Sequence, residues 1–173
     1  GKQVVHVSFD QHASYIMTWY EDIFSEISKR KRLEQAEEVK DELVRKRVVL
    51  NFNQDTVSTS QIVATLKALS QGGIKADYLI IDGLDFTKRS NADFEEVKNF
   101  AKENNIVVWY SCNSEGSELK DIFDAERAKL FDSVILFESK QDCTQLRILK
   151  VREENISDAN LKLDPKTLLI AEK

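Results

Sequence analysis

The sequence predicts one three-layer α/β domain, in which a mostly parallel sheet lies between helices and antiparallel hairpin strands extend its carboxyl-terminal edge. The first observation is that apolar, β-branched runs alternate with segments of helical periodicity, because parallel strands need such crossover connections. The second is that the runs QVVHVSF, DYLIID and IVVWYSC are almost continuously apolar, as is typical of strands covered by helices on both faces. The third is a set of closely spaced strand patterns near the carboxyl terminus, which favours hairpins.

The elements of the first half are predicted in chain order from residue spacing. Residues 3–9 form a strand that ends at Asp10, and the apolar side chains of residues 13–31 recur at three and four, which indicates a helix with basic residues at its end. LEQAEEVKDELVRK is a second helix, and RVVLNFN, residues 47–53, is a strand. STSQIVATLKALSQGG begins with capping residues and stops at paired glycines, so both ends of a helix are marked.

The second half continues the alternation and then changes to hairpins. DYLIID is a strand, NADFEEVKNFAKENN a helix and IVVWYSC a strand, followed by the predicted helical segment SELKDIFDAERAKLF. SVILFE and TQLRILKV are strands whose short spacer favours an antiparallel hairpin. LKLDPKTLLIAEK is predicted as a second hairpin that turns at Asp164 and Pro165. With one proline and five glycines, no flexible linker is evident, so residues 1–173 are predicted to form a single domain.

Composition limits the classes of partner. The formal net charge of −5 gives no general attraction to nucleic acid, so nucleic-acid binding is not expected, although local basic patches remain open. No apolar run approaches the roughly 20 residues that span a bilayer, and the amino-terminal stretch lacks the layout of a signal peptide. Cys112 and Cys143 are too few and too far apart for a disulfide framework or a zinc site. We therefore expect a cytoplasmic protein with free thiols and no membrane partner.

Polar side chains follow four of the predicted strands. They are Asp10 after the first, Gln54 after the second, Asp82 after the third, and Ser111 with Asn113 after the fourth. In open α/β sheets, ligands bind beyond the carboxyl ends of the parallel strands, and carboxylate, amide and hydroxyl groups suit a magnesium-bound nucleotide. Because strands end at the surface, polar residues also occur there for ordinary reasons, and both interpretations stay open.

Asp82 is the strongest single candidate for a metal site. It follows Leu79, Ile80 and Ile81 directly, at the end of a strand predicted to be buried. An unpaired charge there would be costly, so a metal ion, or the hydroxyl of a phosphate-binding loop, is expected to satisfy it. The alternative is a capped turn, because Asp-Gly is also common turn chemistry.

Lys150 and Arg152 form a second candidate pair. They are two residues apart on a predicted strand and so share a face, and a guanidinium group suits the charge of a polyphosphate. Basic residues that protect a solvated edge strand are the alternative.

Two further features are assigned to packing. His6 lies inside an apolar strand, so we predict a partly buried histidine rather than a catalytic one. The aromatic stripe of the first helix, formed by Tyr15, Trp19, Tyr20 and Phe24, is predicted to pack in the core, with an interaction groove as the alternative.

Several segments, taken in chain order, resemble the RecA/DnaB-like branch of the P-loop ATPases, beginning after the phosphate-binding loop and its helix. GKQVVHVSFDQ resembles the second core strand, with Ser8-Phe9-Asp10 in place of a Ser-Leu-Glu that carries the catalytic glutamate. ADYLIIDGLDF resembles the Walker B strand, VVWYSCNS the strand that often ends in Ser-Gln, and LRILKVRE the Lys-x-Arg strand. VVHVSFDQ, VVLNFNQD and LKLDPKTLLI also resemble stretches of a group of uncharacterised bacterial cytoplasmic proteins with P-loop domains.

The resemblance implies a RecA-like fold that binds ATP and Mg²⁺. Asp82 would hold the magnesium, and Asp10, one methylene shorter than the family's glutamate, would orient the attacking water. Phosphate- or nucleotide-contacting roles would fall to three other polar residues of the same edge: Gln54, Ser111 and Asn113. Lys150 and Arg152 would reach the nucleotide of a neighbouring subunit, which implies a homo-oligomer.

One departure decides what can be expected of these residues. No Gly-x-x-x-x-Gly-Lys-Ser/Thr loop is present, and without its backbone N–H groups and lysine tight nucleotide binding is not expected. Either the sequence is the part of a longer ATPase that follows the loop, as the turn-like Gly1-Lys2-Gln3 favours, or it is a non-catalytic interaction module that has lost nucleotide binding. In the family, the missing strand lies centrally in the sheet, beside the Walker B strand.

Overall fold

The protein forms two compact units. The computed structural model describes residues 1–141, 143–152, 161–164, 167 and 169–170. The first unit comprises Gly1–Phe24 and Lys31–Asn113, and the second comprises Ser25–Arg30 and Ser114–Lys173. The first contains a four-stranded parallel sheet with helices, and the second a three-stranded antiparallel sheet. The predicted α/β class with both kinds of strand is therefore confirmed.

The elements of the parallel sheet agree closely with the sequence prediction. Its strands are β1 (Val4–Ser8), β2 (Arg47–Asn51), β3 (Tyr78–Asp82) and β4 (Val107–Tyr110). The helices between them are α1 (Ala13–Lys31), α2 (Ala36–Arg45), α3 (Thr59–Gln71) and α4 (Asn91–Asn104). In the part of the chain that the structure describes, no helix is both long enough and apolar enough to cross a bilayer.

Local capping explains why α3 and α4 begin where they do. The Ser58 side chain accepts a hydrogen bond from the Gln61 amide, and the Gln61 side chain accepts one from the Ser58 amide. Ser90 and Asp93 form the same reciprocal pair at α4. Each pair satisfies amide groups that the first helical turn leaves without a partner.

The strand order β2-β1-β3-β4 puts β1 and β3 at the centre of the sheet. β1 pairs in parallel with both neighbours, so that Ser8 lies opposite Asn51 on one side and Asp82 on the other. β3 pairs with β1 and β4. Both edges of β3 are therefore hydrogen-bonded within this sheet, to β1 on one side and to β4 on the other.

The two faces of the sheet carry different helices. Val5 and Leu79 line one cavity together with Leu66 of α3 and Phe100 of α4, so α3 and α4 cover the face to which Val5 points. His6, the next residue, points to the opposite face, where its ring contacts Tyr20 of α1. Ser8 lies two residues after His6 and therefore points to the same α1 face. Asp82, which lies opposite Ser8 on β3, also points to this face.

β4 departs from the prediction that helices cover both of its faces. Tyr110 packs against the rings of Phe86 and Phe94 on the α4 side. Val107 and Trp109 point the other way and are 49% and 52% exposed. The contacts of α1 and α2 on this face involve β1 and β2, through Tyr20 with His6 and Arg47 and through packing of α2 on β2. A continuous apolar run therefore did not mean burial on both sides here.

The second unit is built on strands β5 (Ser133–Ser139), β6 (Thr144–Val151) and β7 (Leu161–Leu163). β5 and β6 form the predicted antiparallel hairpin, with an irregular register between Val134 and Ile135. β7 pairs antiparallel with β6, and Leu163 forms an antiparallel bridge with Ile170, which agrees with a returning tail. Pro165, at the predicted turn, lies outside the described residues.

Two predictions about this region are corrected. The hairpin strands were expected at the edge of the parallel sheet, but they form a separate sheet in which β6 pairs with β5 on one side and with β7 on the other. Residues 117–131 were expected to form one helix. They form two single turns, α5 (Leu119–Ile122) and α6 (Ala125–Ala128), because Asp124 is extended and its carboxylate caps the second turn at the Arg127 amide, 2.8 Å away.

Replacement of Leu79 by alanine tests the core of the parallel sheet. Leu79 is fully buried, so Leu79→Ala is expected to lower the free energy of unfolding by about 2–5 kcal/mol. Val107→Ala, on the half-exposed face of β4, is the matched control and should cost less than about 1 kcal/mol. Urea unfolding followed by circular dichroism measures both, and equal losses would contradict the assignment of the two faces.

Candidate functional site at the carboxyl edge of the parallel sheet

The carboxyl ends of the four parallel strands bring together Asp10, Gln54, Asp82 and Ser111. Asp10 follows β1, Gln54 follows β2, Asp82 ends β3, and Ser111 follows β4. Hydrogen bonds link Asp82 to Ser111 and Gln54 to Asp10. Asn113 is exposed two residues beyond Ser111. These residues therefore share one edge of the sheet, while their roles in nucleotide binding stay predictions.

Asp82 is satisfied by the Ser111 hydroxyl. The Ser111 Oγ donates a hydrogen bond to Asp82 Oδ1 and accepts one from the Gly83 amide at 3.2 Å. The backbone positions this contact, because the Ser111 amide continues the sheet by donating to the Ile81 carbonyl at 3.0 Å. The hydroxyl beside Asp82 thus belongs to Ser111, directly after the neighbouring strand β4, rather than to a phosphate-binding loop.

His6 approaches the other oxygen of Asp82. Its Nε2 lies 3.7 Å from Asp82 Oδ2, and its Nδ1 lies 3.0 Å from the Tyr20 Oη. The imidazole is only 3% exposed, and Nε2 is buried without a hydrogen-bond partner. At 3.7 Å the contact is longer than a hydrogen bond, so the ring acts on the carboxylate electrostatically across a short gap.

These neighbours keep Asp82 ionised. Its pKa is lowered, with His6 as the largest cause. Burial opposes this shift because it disfavours the charged form, while the Ser111 hydroxyl and the Gly83 amide lower the pKa further. The carboxylate is about one-third exposed, so it is accessible from solvent as well as charged.

Gln54 joins three loops of the edge. Its Oε1 accepts a hydrogen bond from the Asp85 amide at 2.8 Å, and its Nε2 donates to the Gly83 carbonyl at 3.2 Å. The same Nε2 lies 3.4 Å from Asp10 Oδ1. Both ends of the Gln54 side-chain amide therefore form hydrogen bonds within the protein, and these bonds link the loop that carries Asp10 to the loop that carries Gly83.

The turn after β1 is fixed around Gln11. The Ser8 hydroxyl donates to the Gln11 carbonyl at 3.0 Å and accepts from the Gln11 amide at 3.1 Å. The Asn51 side-chain amide donates to the same carbonyl. Ser8 is fully buried. The position of Asp10 is therefore set by the hydrogen bonds of Ser8 and Asn51 to the adjacent Gln11 and by the hydrogen bond from Gln54.

Asp10 packs against Gly83. Gly83 has a left-handed backbone with φ of 72°, which glycine adopts at little cost. A Cβ on Gly83 would lie 3.1 Å from the Asp10 Cβ and closer still to its carboxylate. The Asp-Gly sequence after β3 therefore serves two purposes, since the turn needs the glycine and Asp10 occupies the space that a side chain would fill.

The second unit contains Lys150 and Arg152. The Lys150 ammonium group donates to the carbonyls of Ala128 and Phe131, both at 2.7 Å. Arg152 is exposed and lies beyond the end of β6, with a left-handed φ of 54°. Because β6 ends at Val151, the strand alternation that was expected to place Lys150 and Arg152 on one face does not extend to Arg152. A role across a subunit interface stays a prediction.

The fit of this edge to Mg²⁺ and ATP is partial. Within the described ranges, no group of three or more His, Cys, Asp or Glu side chains is arranged to hold a metal ion. Magnesium is nevertheless often bound by one or two carboxylates together with phosphate oxygens and water. Asp82 and Ser111 fit that mode, in which the nucleotide supplies most of the ligands. ATP itself would also need the phosphate-binding groups that these residues do not provide.

Sequence reasoning missed the partnership of His6 and Tyr20 with Asp82. The alternation of β1 places His6 and Ser8 on one face, which was a usable signal. The contact with Asp82 additionally requires that β1 pair with β3 in the observed register, and no local pattern specifies that neighbour.

Comparison with known proteins adds no assignment. No protein-family model matches the sequence, and a search of curated proteins finds no significant similarity. The resemblance to RecA-like ATPases therefore depends on the short motifs quoted above.

Alanine at Gly83 tests the packing of Asp10. Gly83→Ala and the control Gly73→Ala, whose φ is 94° with no atom within 4 Å of the new Cβ, should each cost about 1–2 kcal/mol of backbone strain. Gly83→Ala should cost more because it also displaces Asp10. In an Asp10→Ala background this excess should disappear, which urea unfolding of the single and double variants would show. An excess that persists there would place the obstruction elsewhere.

The pH dependence of stability tests the environment of Asp82. Because the folded-state pKa lies below the ordinary value of 3.8, ionised Asp82 stabilises the fold above that pH, and the contribution is lost as pH falls through the folded-state pKa. The stability difference between wild type and Asp82→Asn should be constant near neutral pH and shrink below about pH 3.8. Urea unfolding at several pH values measures it, and Asp22→Asn on the exposed side of α1 controls for loss of a negative charge. A difference that is independent of pH would contradict the lowered pKa.

Proposed function

We propose that the unit of Gly1–Phe24 and Lys31–Asn113 is the magnesium side of a RecA-like ATPase site whose phosphate-binding loop is supplied by additional polypeptide. The observation that carries the proposal is the Asp82–Ser111 pair at the carboxyl edge of β3 and β4, where the carboxylate is ionised and partly exposed. In open α/β sheets this edge is where ligands bind. The biological process that hydrolysis would serve is not specified by these residues.

Each residue of the edge has a role in this proposal. Asp82 holds water molecules of the magnesium shell, and the ion when bound neutralises charge on the phosphate oxygens. Asp10, held beside Gly83 by Gln54, accepts a hydrogen bond from the attacking water and orients it. Ser111 senses the phosphate in this proposal, and its hydrogen bond to the Asp82 carboxylate supports that role. Asn113 is assigned to phosphate contact only by its position two residues beyond Ser111.

The proposal extends to a homo-oligomer in which basic residues of the second unit act on the site of a neighbouring copy. Arg152 is the better candidate for this role, because it is exposed and guanidinium suits a polyphosphate. The Lys150 ammonium group is already bound to two carbonyls, so its release would cost those hydrogen bonds.

A second candidate function is a non-catalytic interaction module. Two observations favour it. The amide of Gln54 is engaged at both ends within the protein, and two aromatic side chains of α1, Tyr15 and Trp19, are 72% and 50% exposed rather than packed in the core. Exposed aromatic side chains are common at protein interfaces, so a protein partner at α1 is the corresponding prediction.

Asp82→Asn distinguishes the two functions. Where the gene encodes residues ahead of Gly1, the variant should be made in the longer protein that includes them. Wild type should hydrolyse ATP, and the variant should lose roughly 100-fold or more in kcat, the order expected when a major electrostatic contact of the transition state is removed. Release of inorganic phosphate measures the rate.

Asp85→Asn is the matched control in the same loop. The Asp85 carboxylate caps the turn of Phe86–Lys88 by accepting from the Thr87 amide at 2.9 Å, so its loss should leave hydrolysis within a few-fold of wild type. Unchanged turnover in Asp82→Asn would remove the magnesium assignment. No heat of ATP binding to the longer protein, measured by calorimetry, would favour the interaction module.

A further inference from the structure

We propose that His6 and Tyr20 are positioning residues of Asp82, in which the Tyr20 hydroxyl fixes the histidine tautomer that presents a buried N–H to the carboxylate. The assignment of a magnesium role to Asp82 rests on the proposed function, but the tautomer and the orientation of Asp82 do not. The histidine was expected to be partly buried and satisfied rather than catalytic, and its ring is buried between a phenol and a carboxylate.

The contacts of the ring leave two arrangements to compare. Tyr20 Oη is 3.0 Å from Nδ1, and Asp82 Oδ2 is 3.7 Å from Nε2. Burial raises the pKa of Tyr20, so the phenol keeps its proton and can donate or accept. In neutral imidazole one nitrogen carries the proton and the other has a lone pair. In the neutral ring, the proton of His6 is therefore either on Nδ1, facing Tyr20, or on Nε2, facing Asp82.

Electrostatics selects the second arrangement. With the proton on Nδ1, the lone pair of Nε2 would face a carboxylate oxygen at a buried position where Nε2 has no hydrogen-bond partner, and two regions of negative charge would repel each other. With the proton on Nε2, the positive end of the N–H dipole faces Asp82, and the Tyr20 O–H donates to Nδ1. Such interactions are strengthened by the low polarity of a buried site.

The result is an Asp82 carboxylate held at both oxygens. Ser111 donates to Oδ1 from β4, and His6 attracts Oδ2 from β1. Two anchors from the two neighbouring strands restrict the side chain to one rotamer. This is the usual way in which outer partners orient a ligand for a metal ion.

Tyr20 itself is held by independent contacts. The Arg47 guanidinium lies over its ring at 5.3 Å from the centroid, a favourable cation–π geometry. The His6 and Tyr20 rings also meet edge to face, with centroids 5.9 Å apart. These contacts hold the Tyr20 hydroxyl next to His6 Nδ1. Helix α1 therefore helps to position the site.

The histidine tautomer is the first test, because it can be measured in the unaltered protein. Two-bond proton–nitrogen NMR correlations of uniformly ¹⁵N-labelled protein distinguish the Nε2–H form from the Nδ1–H form. His6 should be in the Nε2–H form by roughly ten to one or more, as expected when a buried N–H dipole faces a charge across a short gap. A predominant Nδ1–H form would overturn the proposal without reference to any activity.

The rotamer of Asp82 is the second test. Three-bond couplings from its Cγ to the backbone nitrogen and carbonyl carbon should indicate one χ1 rotamer in wild type. They should move toward averaged values in His6→Phe, which keeps a ring in place without the N–H, and to a smaller extent in Tyr20→Phe, which frees the imidazole to turn. His12→Ala is the matched control, because His12 is exposed and bonds to Ser14, and it should leave the couplings unchanged.

The outcomes separate this proposal from the proposed function. Couplings that stay unaveraged in a folded His6→Phe variant, judged by retained backbone amide shifts in β1 and β3, would overturn the positioning role. If instead the tautomer and couplings behave as expected while Asp82→Asn leaves ATP hydrolysis unchanged, the positioning role stands and the ATPase assignment falls. If His6→Phe does not fold, the wild-type tautomer and Tyr20→Phe still decide the question.

Discussion

The parallel pairing of β1 with β3 is the interaction on which the rest of the first unit depends. Its register places Val5 beside Leu79 and Val7 beside Ile81 on the α3 and α4 face, where all four side chains are buried. The same register places Ser8 beside Asp82 on the α1 face, and a shift of one residue would exchange the two faces of β1. The core and the polar edge are thus fixed by one set of backbone hydrogen bonds.

Charge at the end of a buried strand is tolerated here because donors arrive from several directions. Ser111 reaches Asp82 from β4, His6 approaches it from β1, and the Gly83 amide lies within the same turn. Each donor is positioned by an element that is stabilised for other reasons, chiefly by apolar burial on the α3 and α4 face. Loss of one of these donors would leave a partly buried carboxylate oxygen of Asp82 without a partner. Single substitutions in such a cluster therefore lower stability more than substitutions of exposed polar residues.

Local signals carried most of what the sequence could predict. The capping residues Ser58 and Ser90, and the apolar spacing of α1, identify helices because both signals act within one or two turns. The extended break at Asp124 was also locally marked by a capping-type residue, although the segment was predicted as one helix. The exposure of Val107 and Trp109 was not predictable in this way, because it depends on which strands the helices of the α1 face cover.

The grouping of polar residues at one edge followed from a general property of parallel sheets, whereas their individual contacts did not. Strand-end position was enough to nominate Asp10, Gln54, Asp82 and Ser111. It could not show that Gln54 would clamp loops, or that His6 would lie beside Asp82, since both contacts depend on strand order and register. Pairing between distant segments is set by the whole core rather than by a local pattern, so the sheet partners had to be seen.

The electrostatics of the edge are one support for the magnesium role that we propose for Asp82. Among the ion pairs of the described residues, none joins a lysine or arginine to Asp10 or Asp82, whereas Lys88 pairs with Asp55 and Asp85 a short distance along the chain. Hydroxyl and amide donors stabilise a carboxylate without cancelling its charge, so Asp82 stays ionised and the edge keeps a negative potential. A turn whose only task was to end a strand would be satisfied as well by asparagine, which needs no such set of donors. The retained and accessible charge is therefore the feature that a divalent cation would use.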